Sequence, residues 1–349
     1  MAASPSTTPA GGAQPGGSAT AGAPSPKKEG GHESTASVIA AIAANILVGI
    51  VKFIAAGISG SAAMISEGIH SIVDSGNGLL VLWGLRAAKK PPTIEHPFGF
   101  GKELYFWTLV VSVSVFALGG GVSLMKGIHA LQDAAAGVVE MGDPTMSYIV
   151  LIAAMIIEGT SLFVAVKQFN AARGETSPMT FIKNCKDPSL YTVLLEDSAA
   201  ELGLVFALLG LGLGHLTGNP YCDGAASVLI GLLLMCVAVI MLRESKGLLV
   251  GEGMTRAELV EARAIVESDS AVAEAGRVLT MYFGPQGMLM TVDAKFRPGL
   301  SGDDVLAAVD RIEAALTARF PQATRIFIEA EDLAHVERQK KLQREMPEE

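Results

Sequence analysis

Cysteine, aromatic side chains and charge are all scarce in this sequence. Its three cysteines, Cys185, Cys222 and Cys236, lie too far apart for a CxxC metal knuckle or a disulfide framework and are read as structural. Charged residues make up 17% and aromatics 6% of the 349 residues, whereas a soluble domain carries roughly 25% charge; the composition argues against an ordinary cytosolic enzyme. No basic excess exists, because the formal net charge is -9, and a nucleic-acid partner would need a basic face. No Walker-type loop occurs, so nothing points to ATP. Residues 1–34 have no arginine and no apolar core, which argues against a secretory signal or an Arg-rich transit peptide. Their Ala, Gly, Pro, Ser and Thr cannot bury enough surface to offset chain entropy and predict a disordered tail.

Half of the residues are hydrophobic and the mean hydropathy is +0.42. Apolar runs long enough to span a bilayer lie near 36–58, 61–86, 103–130, 145–171, 190–215 and 221–243, which predicts six transmembrane helices over residues 35–248. Arg86, Lys89, Lys90 and Lys102 cluster at the joint of the second and third runs, and Lys167, Arg173, Lys183 and Lys186 at that of the fourth and fifth. By the positive-inside rule both termini are then cytoplasmic.

After Arg243 the period changes. Leu259, Ala262 and Val266 form one helix face, and Leu279, Met281 and Phe283 alternate before Gly284-Pro285-Gln286-Gly287 and the alternating Met288, Met290 and Val292. Val305, Val309, Ile312 and Leu316 form a second stripe, then Ile326 and Ile328 alternate. The expectation is a cytoplasmic α+β domain over 249–334, in the order αββαβ with a ferredoxin-like or metallochaperone-like form, followed by a charged tail at 335–349. The three hairpin methionines are expected in its core rather than as copper ligands.

Ionisable residues inside spans cost roughly 2.5–3.5 kcal/mol each on insertion scales and mark where function resides. The second span reads Ser66-Glu67-Gly68-Ile69-His70-Ser71-Ile72-Val73-Asp74, placing Glu67, His70 and Asp74 on one helical face with Asn77 a turn beyond. The fifth reads Glu196-Asp197-Ser198-Ala199-Ala200-Glu201, with Asp197 and Glu201 on one face and Glu196 about 100° round. Three carboxylates within six residues cannot all stay ionised in hydrocarbon without a cation or protons. Imidazole with carboxylates suits a borderline divalent ion such as Zn²⁺; the bland alternative is hydrogen-bonding glue between helices. Glu158 is a lone acid, a proton relay or a partner of Lys52, with the pairing favoured. Asn45 and Asn77 are read first as packing residues. His129 and His215, near span ends, are read as interfacial.

These residues resemble the cation diffusion facilitator family of divalent-metal exporters over about residues 36–332. The likeness rests on the Ser66–Asp74 stretch, on Glu95-His96-Pro97-Phe98-Gly99-Phe100-Gly101-Lys102, and on the order of six spans before an αββαβ domain. The Leu195–Ala200 stretch is similar to the branch that includes the mitochondrial zinc transporter of animals. The resemblance implies a ligand pair His70 and Asp74 from the second span and Asp197 from the fifth, aligned through Gly203. Val193 falls where the family carries a histidine, leaving the fourth ligand to Glu196, Glu201, Glu67 or water, and a carboxylate-rich site also suits Mn²⁺ or Fe²⁺. His96 matches one ligand of a second loop site that Phe100 and Thr93 leave degenerate. Residues 250–334 hold no histidine, so a metal-poor domain that dimerises is expected.

The expectation is therefore not an enzyme but a divalent cation transporter without a resident cofactor, moving zinc (or manganese, iron or cobalt) out of the cytoplasm in exchange for protons. Its partners would be metal, protons, the lipid bilayer and a second copy of itself, without nucleic acid, and its site a bacterial inner (plasma) membrane. A metal sensor and an intramembrane enzyme using His70 as base are the alternatives.

Overall fold

The computed structural model describes residues 35–138, 143–331 and 341, with side chains from residue 45 onward. The N-terminal tail and most of the charged C-terminal tail lie outside the described residues. Helices α1 (Thr35–Ser59), α2 (Ala62–Ala88), α5 (Thr145–Arg173), α7 (Pro188–Thr217) and α8 (Tyr221–Val250) are continuous. Between Lys102 and Ala135, α3 (Lys102–Ser114) and α4 (Val122–Ala135) are joined by a π-helical stretch over Val115–Gly121. A short α6 (Pro178–Asn184) precedes α7.

Among the described residues, four helical stretches are long and apolar enough to cross a membrane: Lys102–Ala135, Thr145–Arg173, Pro188–Thr217 and Tyr221–Val250. The remaining two of the six expected spans do not meet that standard. In α2 the polar residues Glu67, His70, Asp74 and Asn77 lower the hydropathy of an otherwise suitable helix, and of α1 only the apolar piece Asn45–Ser59 qualifies, as a shorter helix.

Local chemistry sets the helix ends. Ser61, in an extended conformation, caps α2 by accepting a hydrogen bond from the Met64 amide at 3.1 Å. Asp223 in the first turn of α8 reaches across to the same helix end, where its Oδ1 accepts from the Ser61 hydroxyl and its Oδ2 from the Ala62 amide, each at 2.5 Å. The α2 N-terminus is thereby tied to α8. Asp187 caps α7, Pro188 occupies its first turn, and Gly218 ends it at φ 67° in the left-handed region.

Small residues let the helices approach closely. A methyl group on Gly231 of α8 would sit 2.6 Å from the Leu124 amide, and one on Gly127 of α4 2.6 Å from that of Val228, so α4 and α8 touch backbone to backbone. On α7 the buried face carries Ala199, Ala200, Gly203, Leu204 and Ala207. Ala199, Leu204 and Ala207 of this face join Ala63, Met64, Val111, Leu151, Ile230 and Leu234 in one core.

The C-terminal part is a small mixed-sheet domain: α9 (Arg256–Glu267), β1 (Val272–Gly284), β2 (Gly287–Phe296), α10 (Gly302–Arg319) and β3 (Ala323–Ala330). The sheet order is β1-β2-β3, with β1 antiparallel and β3 parallel to β2. Both helices open with capping boxes, Thr255 with Glu258 and Ser301 with Asp304. Ala262, Val266, Ile312 and Leu316 pack on Met288, Met290 and Val292, as the helical stripes require.

One strand differs from its expected use. In β1 the core face is Val278 and Tyr282, paired with Val292 and Met288, whereas Leu279, Met281 and Phe283 point the other way and Met281 lies outside the core. That second face is covered by the α2–α3 loop and the end of α8. The Phe283 ring lies 5.6 Å from that of Phe98, and the Gly284 backbone rests on Gly101, where any side chain would collide with the Phe283 carbonyl. Lys186 adds an ion pair to Glu252 at 2.9 Å. The domain is thus held against the end of the helical bundle that carries the 89–101 and 174–187 connections.

Candidate metal centre

The α2 face read from the sequence points into the bundle. His70 is 2% exposed, and its Nε2 lies 3.2 Å from Asp74 Oδ2 one turn along, a close approach without hydrogen-bond alignment. Neither ring nitrogen of His70 has a hydrogen-bond partner, nor has Asp74 Oδ1. An unsatisfied buried polar group costs about 1–3 kcal/mol, so several grouped together mark a place prepared for a ligand.

Across from them, α7 offers two acids in different settings. Glu196 faces α2, where the Asn77 amide donates to its Oε1 at 3.0 Å. Asp197, about 100° round the helix, is turned toward α5 and accepts from the Ser161 hydroxyl at 2.8 Å. Both lie within electrostatic reach of Asp74. Val193 is 45% exposed on the outside of α7, so the residue at the expected histidine position does not enter the site.

Glu67 and Glu201 belong to a neighbouring group instead. Lys52 of α1 is fully buried, and its ammonium reaches Glu67 Oε2 at 3.2 Å, Ser71 Oγ at 3.0 Å and Glu158 Oε1 at 2.8 Å. The favoured pairing of Glu158 with Lys52 is therefore present, and Glu67 shares it. Glu201 lies beside Gly159 of α5 with its Oε2 buried and unpartnered. Serines 71 and 161 were missed as site residues; the available signal was a hydroxyl one residue after His70 and three after Glu158.

His96 stands apart from all of these. It is exposed in the α2–α3 loop and stacks on Phe100 with ring centroids 4.4 Å apart. Among the described residues, the only trio of potential ligand atoms within 4.8 Å is Asp293, Glu329 and Glu331 on the sheet, where Asp293 also forms an ion pair with Arg277 at 3.6 Å. Burial pushes the Asp293 carboxyl above its usual range, against the pull of Arg277. The bundle donors thus stand in pairs, His70 with Asp74 and Glu196 beside Asp197, rather than converged on one point. A cavity of about 130 Å³ at the opposite end from the sheet domain is lined by Ser61, Asp133, His215 and Asp223 and does not include these donors.

The sequence profile of the cation efflux transmembrane domain matches residues 38–250. The chain belongs to the cation diffusion facilitator family. It is accordingly an integral, multi-pass membrane protein of a divalent-cation transporter family. It is similar to metal tolerance protein C4 of Arabidopsis thaliana, 28% identical over 284 residues, covering 81% of this chain and 61% of the plant protein. It is 32% identical over 237 residues to the mitochondrial proton-coupled zinc antiporter of Homo sapiens, covering 67% of this chain and 41% of the antiporter. The magnetosome protein MamM of Paramagnetospirillum magneticum is 28% identical over 204 residues, 57% of this chain and 58% of that protein. The chain thus spans about three-fifths or less of the length of these relatives.

Proposed function

We propose that this chain exchanges a divalent metal ion, zinc first, for protons, using His70, Asp74, Glu196 and Asp197 as donors between α2 and α7. The observation that carries the reading is the pair of unpartnered His70 ring nitrogens beside Asp74, inside the bundle, with Glu196 of α7 facing α2 and Asp197 within electrostatic reach. An imidazole with carboxylates matches zinc by donor type. The same donors must shed protons to take the metal and can regain them on its release, which couples the two flows. Similarity to a proton-coupled zinc antiporter supports both the ion and the exchange. The all-oxygen share of the donor set leaves manganese, iron and cobalt as the competing cargoes.

On this reading α1 and α2 complete a set of six spans, with both termini in the cytoplasm beside the basic 89–101 and 174–187 connections. Helix rocking exposes the site to either side in turn. The sheet domain pairs with that of a second copy. The similarity to mitochondrial antiporters makes an organellar inner membrane the alternative host to a bacterial one.

The test is metal flux into proteoliposomes under a pH gradient, with Zn²⁺, Mn²⁺, Fe²⁺ and Co²⁺ compared in wild type, Asp74→Ala, Glu196→Ala and Asp197→Ala. Gradient-dependent zinc flux that stops in Asp74→Ala and in at least one α7 variant is expected. Metal binding without flux would replace the transporter by a sensor, and flux of manganese or iron alone would change the cargo.

A further inference from the structure

Lys52 is enclosed by α1, α2 and α5 with no exposed surface, and all three of its ammonium protons are committed, to Glu67, Ser71 and Glu158. The partner atoms left over are conspicuous. Glu67 Oε1 and Glu158 Oε2 are buried without hydrogen-bond partners, as is Oε2 of Glu201 nearby. Glu67 itself is 0% exposed and its free oxygen is aimed at Gly203 of α7, where a methyl group would come within 2.5 Å of it. The group lies one turn from His70 and Asp74 toward the α2 N-terminus, on the side away from the sheet domain.

Three carboxylates against one ammonium leave an excess of negative charge in a low-dielectric interior, which holds only with a cation or protons present. A divalent ion at the ammonium position would take the same oxygens at about 2.0–2.2 Å. Glu67 Oε2 and Glu158 Oε1, now at 3.2 and 2.8 Å from the nitrogen, would have to close in by about 0.6–1.2 Å, within side-chain rotation on fixed helices. The carboxylates do not converge within 4.8 Å as a trio while the lysine lies between them.

We propose that Lys52 is a tethered cation filling a second cation site built from Glu67, Glu158, Ser71 and Glu201, and that it keeps a divalent ion from lodging there. Taken with the transport reading above, it holds the chain to one metal ion at a time by preventing capture between the His70–Asp74 pair and the far end of the bundle. The all-oxygen donor set suits Mn²⁺ better than zinc.

The experiment counts Mn²⁺ bound at saturation by equilibrium dialysis of the full chain in detergent, for wild type, Lys52→Met, Lys52→Met with Glu67→Gln, and Lys52→Arg. Lys52→Met is expected to bind one equivalent more than wild type. The double variant returns to the wild-type count, and Lys52→Arg, which keeps the tethered charge, shows no gain. An unchanged count in folded Lys52→Met overturns the proposal and leaves a purely structural ion pair with protons as the alternative counter-charge. Where Lys52→Met does not fold without metal, its thermal unfolding is read with and without Mn²⁺: stabilisation absent from the double variant supports the site, and no stabilisation overturns it. The readout is a difference between variants, so it stands whether or not wild type transports zinc.

Discussion

Gly203→Ala tests the pinned carboxylate at the heart of the bundle. The added methyl would lie 2.5 Å from Glu67 Oε1, against an ordinary carbon–oxygen contact of about 3.3 Å, a shortfall of about 0.8 Å. A free carboxylate would swing aside at little cost. Glu67 is fully buried and its other oxygen is held by Lys52, so either that ion pair stretches or α2 and α7 separate. Overpacking of this kind costs about 1–3 kcal/mol. The expected result is a lower thermal midpoint for the purified protein in detergent, while Gly76→Ala on α2, where a methyl meets nothing within 4 Å, is neutral or slightly stabilising. In a Glu67→Ala background the cost of Gly203→Ala should shrink by about 1 kcal/mol or more, the non-additivity of two groups in contact. Wild-type stability of Gly203→Ala, or full additivity in the double variant, refutes the idea that Lys52 fixes Glu67 against α7.

Asn77→Ala leaves Glu196 Oε1 without its donor; the metal-free protein should lose about 1–3 kcal/mol and the loss should narrow when zinc is added, read as the difference between thermal midpoints with and without metal. Gly101→Val places a side chain against the Phe283 carbonyl and should release the sheet domain from the bundle, seen as faster proteolysis near Gly251–Met254. In the sheet domain, Arg311 holds the Asp269 carboxyl below the usual aspartate range. A depressed pKa contributes stability that is present above the unfolded value of about 3.9 and fades as pH falls through the folded value. Asp269→Asn should therefore speed hydrogen exchange in β1 at pH 7 and converge with wild type in acid; equal exchange at pH 7 would show that the pair contributes nothing.

Much of the bundle was legible because hydropathy and helical period are local properties. The long helices of the bundle lie where the apolar runs predict them, whereas the short α6 and the π-helical stretch in the third run went unread, and the polar residues that interrupt α2 made it conspicuous as a site. The same polar residues lower its hydropathy as a span, so the strongest functional signal was also the weakest membrane signal. In the sheet domain the αββαβ order followed from the helical stripes and strand alternation. The buried face of β1 did not, because both faces are apolar and only the docking of Phe283 against Phe98 and Gly101 tells them apart.

The sequence by itself determined that this protein is built for a membrane, that α2 carries a His70–Asp74 pair one turn apart, and that α7 carries three acids within six residues. Those relations are fixed within a single helix by 100° per residue. Tertiary structure decided which acid meets which partner. Glu196 and Asp197 are neighbours in the chain, yet the packing of Ala199, Ala200, Gly203 and Ala207 rotates α7 so that Glu196 meets Asn77 and Asp197 meets Ser161. Lys52 likewise gathers Glu67 and Glu158 from helices far apart in sequence. The rotation of one helix against another depends on side chains distant along the chain, and no period within either helix encodes it.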